Sequence, residues 1–581
     1  MVLLAALVPA CLAAAHVGNV PDAAHDAGVA RAMGLEPQAW RSLDAVVASA
    51  LAALPLGTRA ARAGLGDALV LGAAGVALYV LACRLAAACA DAPRLRPLTA
   101  VLAVSCAVCA PVWQLESSAV AGSVTGALLA LLPLAVVSRA GDGDAPPSWR
   151  AGAFALGLAL GHEPLVGACA LAACAACVGA RPAARRSLFA AVRSDARVLA
   201  ACLLAGLGPL LLTLARTRTA GLPLGPALAD AWAGEHGASH GGSPLPLVRA
   251  ELGAVLGALA IVGVVLAALV PRARPLGAGL LAVVVLGLAS AWAGAPLGPT
   301  RFGAPVLAAI GAACVFAGVA MQSLVRAIAT ARLPLAQASA AMVLVLLLAI
   351  PVDAADEALL RAQPRITGAA AQWDDLAWGE LPPRAVVVVT DARLGRRAAA
   401  AQATGSLRGD VAVVPARTRG VAAARVLSED PALVPLWRDL ELAGAPAEAS
   451  LSSLASVRPL AMAFEPRWGR ALGRHLVPVA LLDRFEPEPR GASDRRKALD
   501  VFAPKRARLA LAAAKDPELA EAAAYLLRAR ALDVAASGDR DLVGRAVDDL
   551  HAFAPDDPVG AAIVARVVLG KAAAKLEELR P

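Results

Sequence analysis

Up to residue 351 the apolar positions come in long blocks, and beyond it they shrink to short alternating runs. Blocks at roughly 2–17, 66–90, 97–114, 118–138, 198–215, 250–270, 276–294, 303–325 and 334–351 predict nine full spans of a bilayer. A shorter apolar pair, 151–161 and 165–180, is interrupted by Gly161-His162-Glu163-Pro164 and predicts a hairpin. The run SLDAVVASALAALPLG (42–57) is apolar but too short to span, which predicts an interfacial or re-entrant helix. After Pro351, AVVVVTD (385–391), DVAVVPA (410–416), RPLAMAF (458–464) and VPVALLDRF (477–485) alternate with Ala-rich helical stretches, the pattern of a small α/β domain with a mainly parallel sheet. Past residue 500 the strands stop. Four helices separated by Asp-Pro and Ser-Gly-Asp breaks follow, and the surroundings of Tyr525, Ala531, Phe553 and Pro555 look like tetratricopeptide-style hairpins. The expected organisation is a transmembrane domain at 1–351, an outward-facing α/β domain at 352–499 and a helical-hairpin region at 500–581.

Composition adds weight to the membrane reading: 59% of the 581 residues are hydrophobic, with a mean hydropathy of +0.65. The net charge of +9 comes almost wholly from Arg, and every Lys lies after residue 496. Heavy Ala, Arg and Gly with only two Tyr points to a genomic composition bias, so the charge does not argue for a nucleic-acid partner. Its use is topological. Arg94 and Arg96, Arg139 and Arg150, the run RPAARRSLFAAVRSDAR (181–197), Arg272 and Arg274, and Arg326 and Arg332 fall on one side if 151–180 turns back on itself. The positive-inside rule makes that side cytoplasmic and places 18–65, 113–117, 216–249, 295–302 and everything after 352 outside. The opening MVLLAALVPACLAAAHV lacks a basic n-region, so it reads as an uncleaved first span in a multi-pass inner-membrane protein.

No metal or cofactor is expected. Cys106-x-x-Cys109 and Cys174-x-x-Cys177 imitate a redox or zinc spacing, but inside an apolar helix that step places two small, buried-type residues on one face. The segment EHGASHGG (235–242) has too much Gly to hold His236 and His240 on one helical face. The run AVVVVTDARLGRR lacks the Gly-x-Gly-x-x-Gly fingerprint of a nucleotide site.

The first polar stretch, HVGNVPDAAHDAGVARAMGLEPQAWRSL (16–43), follows the opening span, where chemistry at the membrane surface is expected. Asp22, then Gly34, Leu43 and the ungapped Leu54-Pro55-Leu56-Gly57, followed by PVW (111–113), GLALGHEP (157–164), Arg301-Phe302, LPPRAVVVVTD (381–391), RGDVAVV (408–414) and RPLAMAF (458–464), form an ordered series. In that order and spacing the chain resembles the bacterial relatives of the protein O-mannosyltransferase-like membrane proteins, within the GT-C class of lipid-sugar-dependent glycosyltransferases. The resemblance departs at His25, which stands where the family motif has Glu. It departs again at PQAWRS (37–42), which replaces a His-Pro-Pro-Gly-Tyr-Pro run, and early in the fourth span, where only Glu116 lies near the place of an acidic-plus-Tyr motif.

The resemblance implies transfer of a sugar, mannose in the family, from a polyprenyl-phosphate donor to an outward-facing protein or glycan acceptor. Such transfer needs a carboxylate to take the acceptor proton and donors to steady the departing phosphate. Asp22 is the candidate base, and Pro21-Asp22 equally fits a helix N-cap. His25 is its acid/base neighbour, or part of a solvated face. Arg301 is the candidate phosphate partner, or an interfacial anchor. His162, Glu163 and Trp113 are the remaining substrate-binding candidates, with a polar plug in a broken helix as the structural alternative for His162 and Glu163. The lost motif residues also fit a second reading, a non-catalytic paralogue whose C-terminal helices hold a protein partner. A transporter is the weakest reading, since the spans show no internal repeat.

Overall fold

The structure, a computed structural model, describes residues 1–20, 42–55, 57–90, 92–119, 122–138, 148–219, 224–225, 245–292, 303–331, 335–366, 368–415, 427, 430–570 and 575–579. Two compact units are present: Met1–Gly18 with Pro37–Gln363, and Asn19–Glu36 with Pro364–Pro581.

Among the described residues the first unit's regular structure is entirely helical. Its elements are α1 (Val2–Ala15), α2 (Ser42–Ala52), α3 (Arg59–Cys89), α4 (Arg96–Val108), α5 (Pro111–Ser118), α6 (Val124–Val137), α7 (Trp149–His162), α8 (Pro164–Gly179), α9 (Pro182–Gly206), α10 (Gly208–Thr219), α11 (Leu245–Leu269), α12 (Arg274–Trp292), α13 (Ala304–Ala329) and α14 (Ala336–Ile366). Among the described residues five helices are long and apolar enough to cross a membrane, and seven if two bent pairs each count as one span. The protein is therefore a multi-pass membrane protein, although fewer helices pass this test than the nine full spans expected.

The differences have local causes. The block 97–114 bends by 66° between α4 and α5, where Pro111 opens a new helix. The block 66–90 extends back to Arg59, because the Thr58 hydroxyl accepts the Ala61 N–H at 3.2 Å and caps a longer helix. The Arg-rich run 181–197 is helical rather than a link to a span at 198–215: α9 begins at Pro182 and carries a kink at Asp195 (φ −124°, ψ 23°). The pair at 151–180 does fold back at Glu163, since Trp149 at the start of α7 and Val178 at the end of α8 share one cluster with Val137 and Ala184.

Helix α13 is the packing centre of this unit, buried along its whole apolar window. Its neighbours approach to backbone contact through glycine. A Cβ on Gly263 of α11 would lie 1.9 Å from the Phe316 carbonyl oxygen, and one on Gly287 of α12 would lie 2.3 Å from that of Pro305. In lipid there is little hydrophobic gain from bringing apolar helices together, so this close fit is what drives their association.

The second unit is built on a five-stranded mixed sheet of order β2-β1-β3-β5-β4. Strands β1 (Val386–Val389), β2 (Ala412–Pro415) and β3 (Leu460–Met462) are parallel, while β4 (Leu476–Val479) and β5 (Leu482–Phe485) form an antiparallel hairpin. The run 477–485 is thus two strands rather than one, turning at Ala480, whose φ is +52°. All four valines of β1 are buried. Val387 and Val389 join a core with Trp373, Trp378 and Leu509, and Val386 and Val388 join another with Leu436, Leu454 and Leu532, as expected for a strand covered on both faces. The helix Pro517–Ser537 supplies both cores, with Leu526 and Leu527 in one and Leu532 and Val534 in the other.

A charged cluster lies inside this unit. Arg530 is fully buried, stacks over Phe502 at 4.7 Å, donates to the Ala480 carbonyl in the hairpin turn, and stands 3.8 Å from Asp483. Asp533 is also fully buried. Burial pushes Asp483 up to about 6 against the pull of Arg530 and Arg495, and burial together with the neighbouring Asp483 holds Asp533 well above the usual carboxylate range. A carboxylate raised in the folded state keeps its proton while the unfolded chain loses it, so stability is highest below about pH 4 and falls as pH rises through about 6. In urea unfolding of the full-length protein, followed by exchange protection of the β5 amides, this term is expected to remove on the order of 2 kcal/mol between pH 4 and pH 7. Asp533→Asn should flatten that slope, whereas Arg530→Met, which strands two buried acids, should cost about 3–5 kcal/mol at pH 7.

Candidate functional site

Charged side chains are expensive at membrane depth unless paired or wet, so buried ones mark the places worth inspecting. In the helical unit they gather at one end, and the contacts trace which helix termini meet there.

Glu116 of α5 accepts the Ser123 N–H at 2.8 Å, and Asp67 of α3 accepts the Gly122 N–H at 3.0 Å. Two buried carboxylates thus take up backbone donors at the N-terminus of α6, where the helix dipole favours negative charge. Gly122 is required there, because a Cβ would fall 1.7 Å from the Glu116 carbonyl oxygen. Glu251 of α11 accepts the Val112 N–H at 3.2 Å and pairs with Arg361 of α14 at 2.9 Å; Arg361 also pairs with Glu357.

The last pair is different. Asp44 sits in the first turn of α2 and His162 in the last turn of α7, so each lies at the helix end whose dipole favours its charged form. Asp44 Oδ2 and His162 Nε2 are 3.8 Å apart, with 2% and 1% of their side chains exposed. That distance is an ion-pair contact rather than a hydrogen bond. Neither carboxylate oxygen of Asp44 makes a hydrogen bond among the described residues. The imidazole is held from two further sides: a Cβ on Gly126 of α6 would lie 3.1 Å from His162 Nε2 and 2.5 Å from Ala304 Cβ, at the start of α13. The termini of α2, α6, α7 and α13 therefore converge on His162.

The candidates from the sequence are distributed as follows. His162 stands at this convergence, and Glu163, 6% exposed, closes α7 and opens α8 beside it. Trp113 is fully buried, with its ring 3.3 Å from where a Gly311 Cβ would be, so it fills space between α5 and α13. Asp22, His25 and Arg301 lie outside the described residues, as does the segment 235–242. Arg301 is three residues before Ala304, the residue that touches the Gly126 position. Among the described residues no group of three potential ligands could hold a metal ion, and Cys106, Cys109 and Cys177 are buried. Asp44, Asp67 and the Glu251–Arg361 pair were not singled out from the sequence, although each acid interrupts an otherwise apolar helix, which was the available signal.

No protein-family profile matches the chain, and no curated protein matches it. Solved structures do. ArnT from Cupriavidus metallidurans bound to undecaprenyl phosphate is 17% identical, with a TM-score of 0.50, over 80% of this chain and 92% of that one. The apo state of the same protein is 16% identical, with a TM-score of 0.51, over 83% and 97%. At that identity the likeness shows the fold, and a GT-C-like architecture is what the two share.

The convergence on His162 leads to a packing test. Gly126→Ala should displace the imidazole and lower the thermal midpoint in detergent, whereas Asp67→Ala should cost about 1–3 kcal/mol by leaving the buried Gly122 N–H unpaired. Differential scanning of the purified variants reads both effects; a neutral Gly126→Ala would mean that His162 is not held as described.

Proposed function

We propose that the protein is a GT-C-type glycosyltransferase that moves a sugar, mannose by the family resemblance, from a polyprenyl-phosphate donor to a protein or glycan acceptor on the outer side of a cytoplasmic membrane. The observation that carries this reading is the GT-C-like fold shared with a protein crystallised with undecaprenyl phosphate. The gathering of buried acids and His162 at one end of the helical unit supports it, because lipid-sugar chemistry needs titratable groups where the headgroup meets water.

In this reading the outer end is the end at which α1 finishes and the 18–41 loop begins. Asp22 takes the proton from the acceptor hydroxyl as its oxygen attacks the anomeric carbon, and the polyprenyl phosphate leaves. Arg301 steadies the developing phosphate charge, by bidentate geometry that suits guanidinium. His25 and Glu163 support the site, and His162, 3.8 Å from Asp44, lines it. Trp113 backs the site from α5. The polar unit guides the acceptor.

The lost motif Glu, replaced by His25, and the missing Pro-rich run favour the other reading, a membrane scaffold whose C-terminal helices hold a protein partner. Transfer of labelled mannose from polyprenyl-phosphate-mannose to membrane acceptors separates the two. Purified wild type should transfer, and Asp22→Ala should lose at least 100-fold while keeping its thermal midpoint, in line with the usual contribution of a general base (about 10²–10⁴-fold). No transfer by the wild type, beside an active GT-C enzyme assayed in parallel, would favour the scaffold.

A further inference from the structure

The end of the helical unit opposite His162 carries a surface that the proposed chemistry leaves unused. Helix α9 leaves α8 at an angle of 114°, and its first half crosses the start of α7: Trp149 Nε1 donates to Ser187 Oγ at 3.1 Å, and Arg150 pairs with Asp195 at 3.1 Å. Eight residues of α9 therefore pass while α7 advances by one. Up to the kink at Asp195, α9 therefore lies across the end of the bundle, whereas beyond it the helix runs along α7, where a Cβ on Gly157 would lie 2.2 Å from the Leu203 carbonyl oxygen.

Its two faces differ. Ala184 is buried and Leu188, Ala191 and Asp195 are half-buried, which makes that side the one packed on the bundle. Every fourth residue on another side, Arg185, Phe189, Arg193 and Arg197, is exposed, and Arg186 and Val192 flank this row. Phe189 is 66% and Val192 46% exposed. None of these four arginines has an ion-pair or hydrogen-bond partner among the described residues, while the one acid of the segment, Asp195, is taken by Arg150.

We infer that residues 185–197 form a docking surface for anionic phospholipid headgroups, with Phe189 and Val192 entering the acyl boundary and the four arginines meeting lipid phosphates. The charge pattern selects this occupant. An aromatic side chain set among unpaired cations at the end of a membrane-spanning bundle suits an interface in which apolar tails and phosphates lie within one side-chain length. Arginine adds bidentate contact to phosphate, which a diffuse positive charge does not.

The test is native mass spectrometry of the full-length protein in detergent with equimolar phosphatidylglycerol and phosphatidylcholine of identical chains. Wild type should retain phosphatidylglycerol in clear excess. Each Arg→Gln at 185, 186, 193 and 197 should lower that preference by about fivefold, and 1 M salt should abolish it. Phe189→Ala should reduce total bound lipid without altering the ratio. Arg272→Gln/Arg274→Gln, at a neighbouring turn where Arg274 is held by the Ala268 carbonyl, should leave the ratio within twofold. If the fourfold variant does not fold, the single variants carry the test. The inference is overturned if the preference survives loss of the four arginines or falls equally with the 272/274 pair. It is also overturned if wild type shows no preference, an outcome that would point to an acidic protein on this face instead.

Discussion

What the helical unit depends on is the cost of an unpaired polar group away from water. Each carboxylate that the sequence inserts into an apolar helix has to find a donor, and the donors on offer at the ends of helices are the backbone N–H groups that no intrahelical carbonyl reaches. Asp67 and Glu116 meet that need at the start of α6, and Glu251 meets it at the start of α5 and through Arg361. These contacts tie α3, α5, α6, α11 and α14 together at one end. The glycine-mediated backbone contacts hold α11 and α12 against α13.

Against that background the Asp44–His162 pair stands out. It uses helix dipoles in the same sense as the others, an acid at an N-terminus and an imidazole at a C-terminus, but at 3.8 Å it stops short of a hydrogen bond. The same logic operates in the polar unit with the opposite result. There burial moves Asp483 and Asp533 toward their protonated forms, and Arg530, which also donates to a hairpin carbonyl, only partly offsets that.

The two ends of the helical unit divide the work by charge. Carboxylates and histidine collect at one end, in pairs and at helix termini; arginines collect at the other, four of them on α9 without partners among the described residues.

The alternation and block length of apolar residues were enough to read the membrane unit, the short strands at 386–389, 412–415 and 460–462, and the break at Glu163, because spans and strands are set by hydrophobic period, and Pro164 bars the helix from continuing. His162 and Glu163 could be singled out for the same reason, as polar residues at a break in an apolar run. Partner choice could not be read that way. That Asp44 meets His162, that Gly126 leaves room for the imidazole, that 477–485 folds into a hairpin over Arg530, and that 181–197 is a helix crossing the end of the bundle all depend on which distant segments come together. Those meetings are decided by packing between segments far apart in the chain, 118 residues in the case of Asp44 and His162, and a local pattern carries no information about the neighbour it will face.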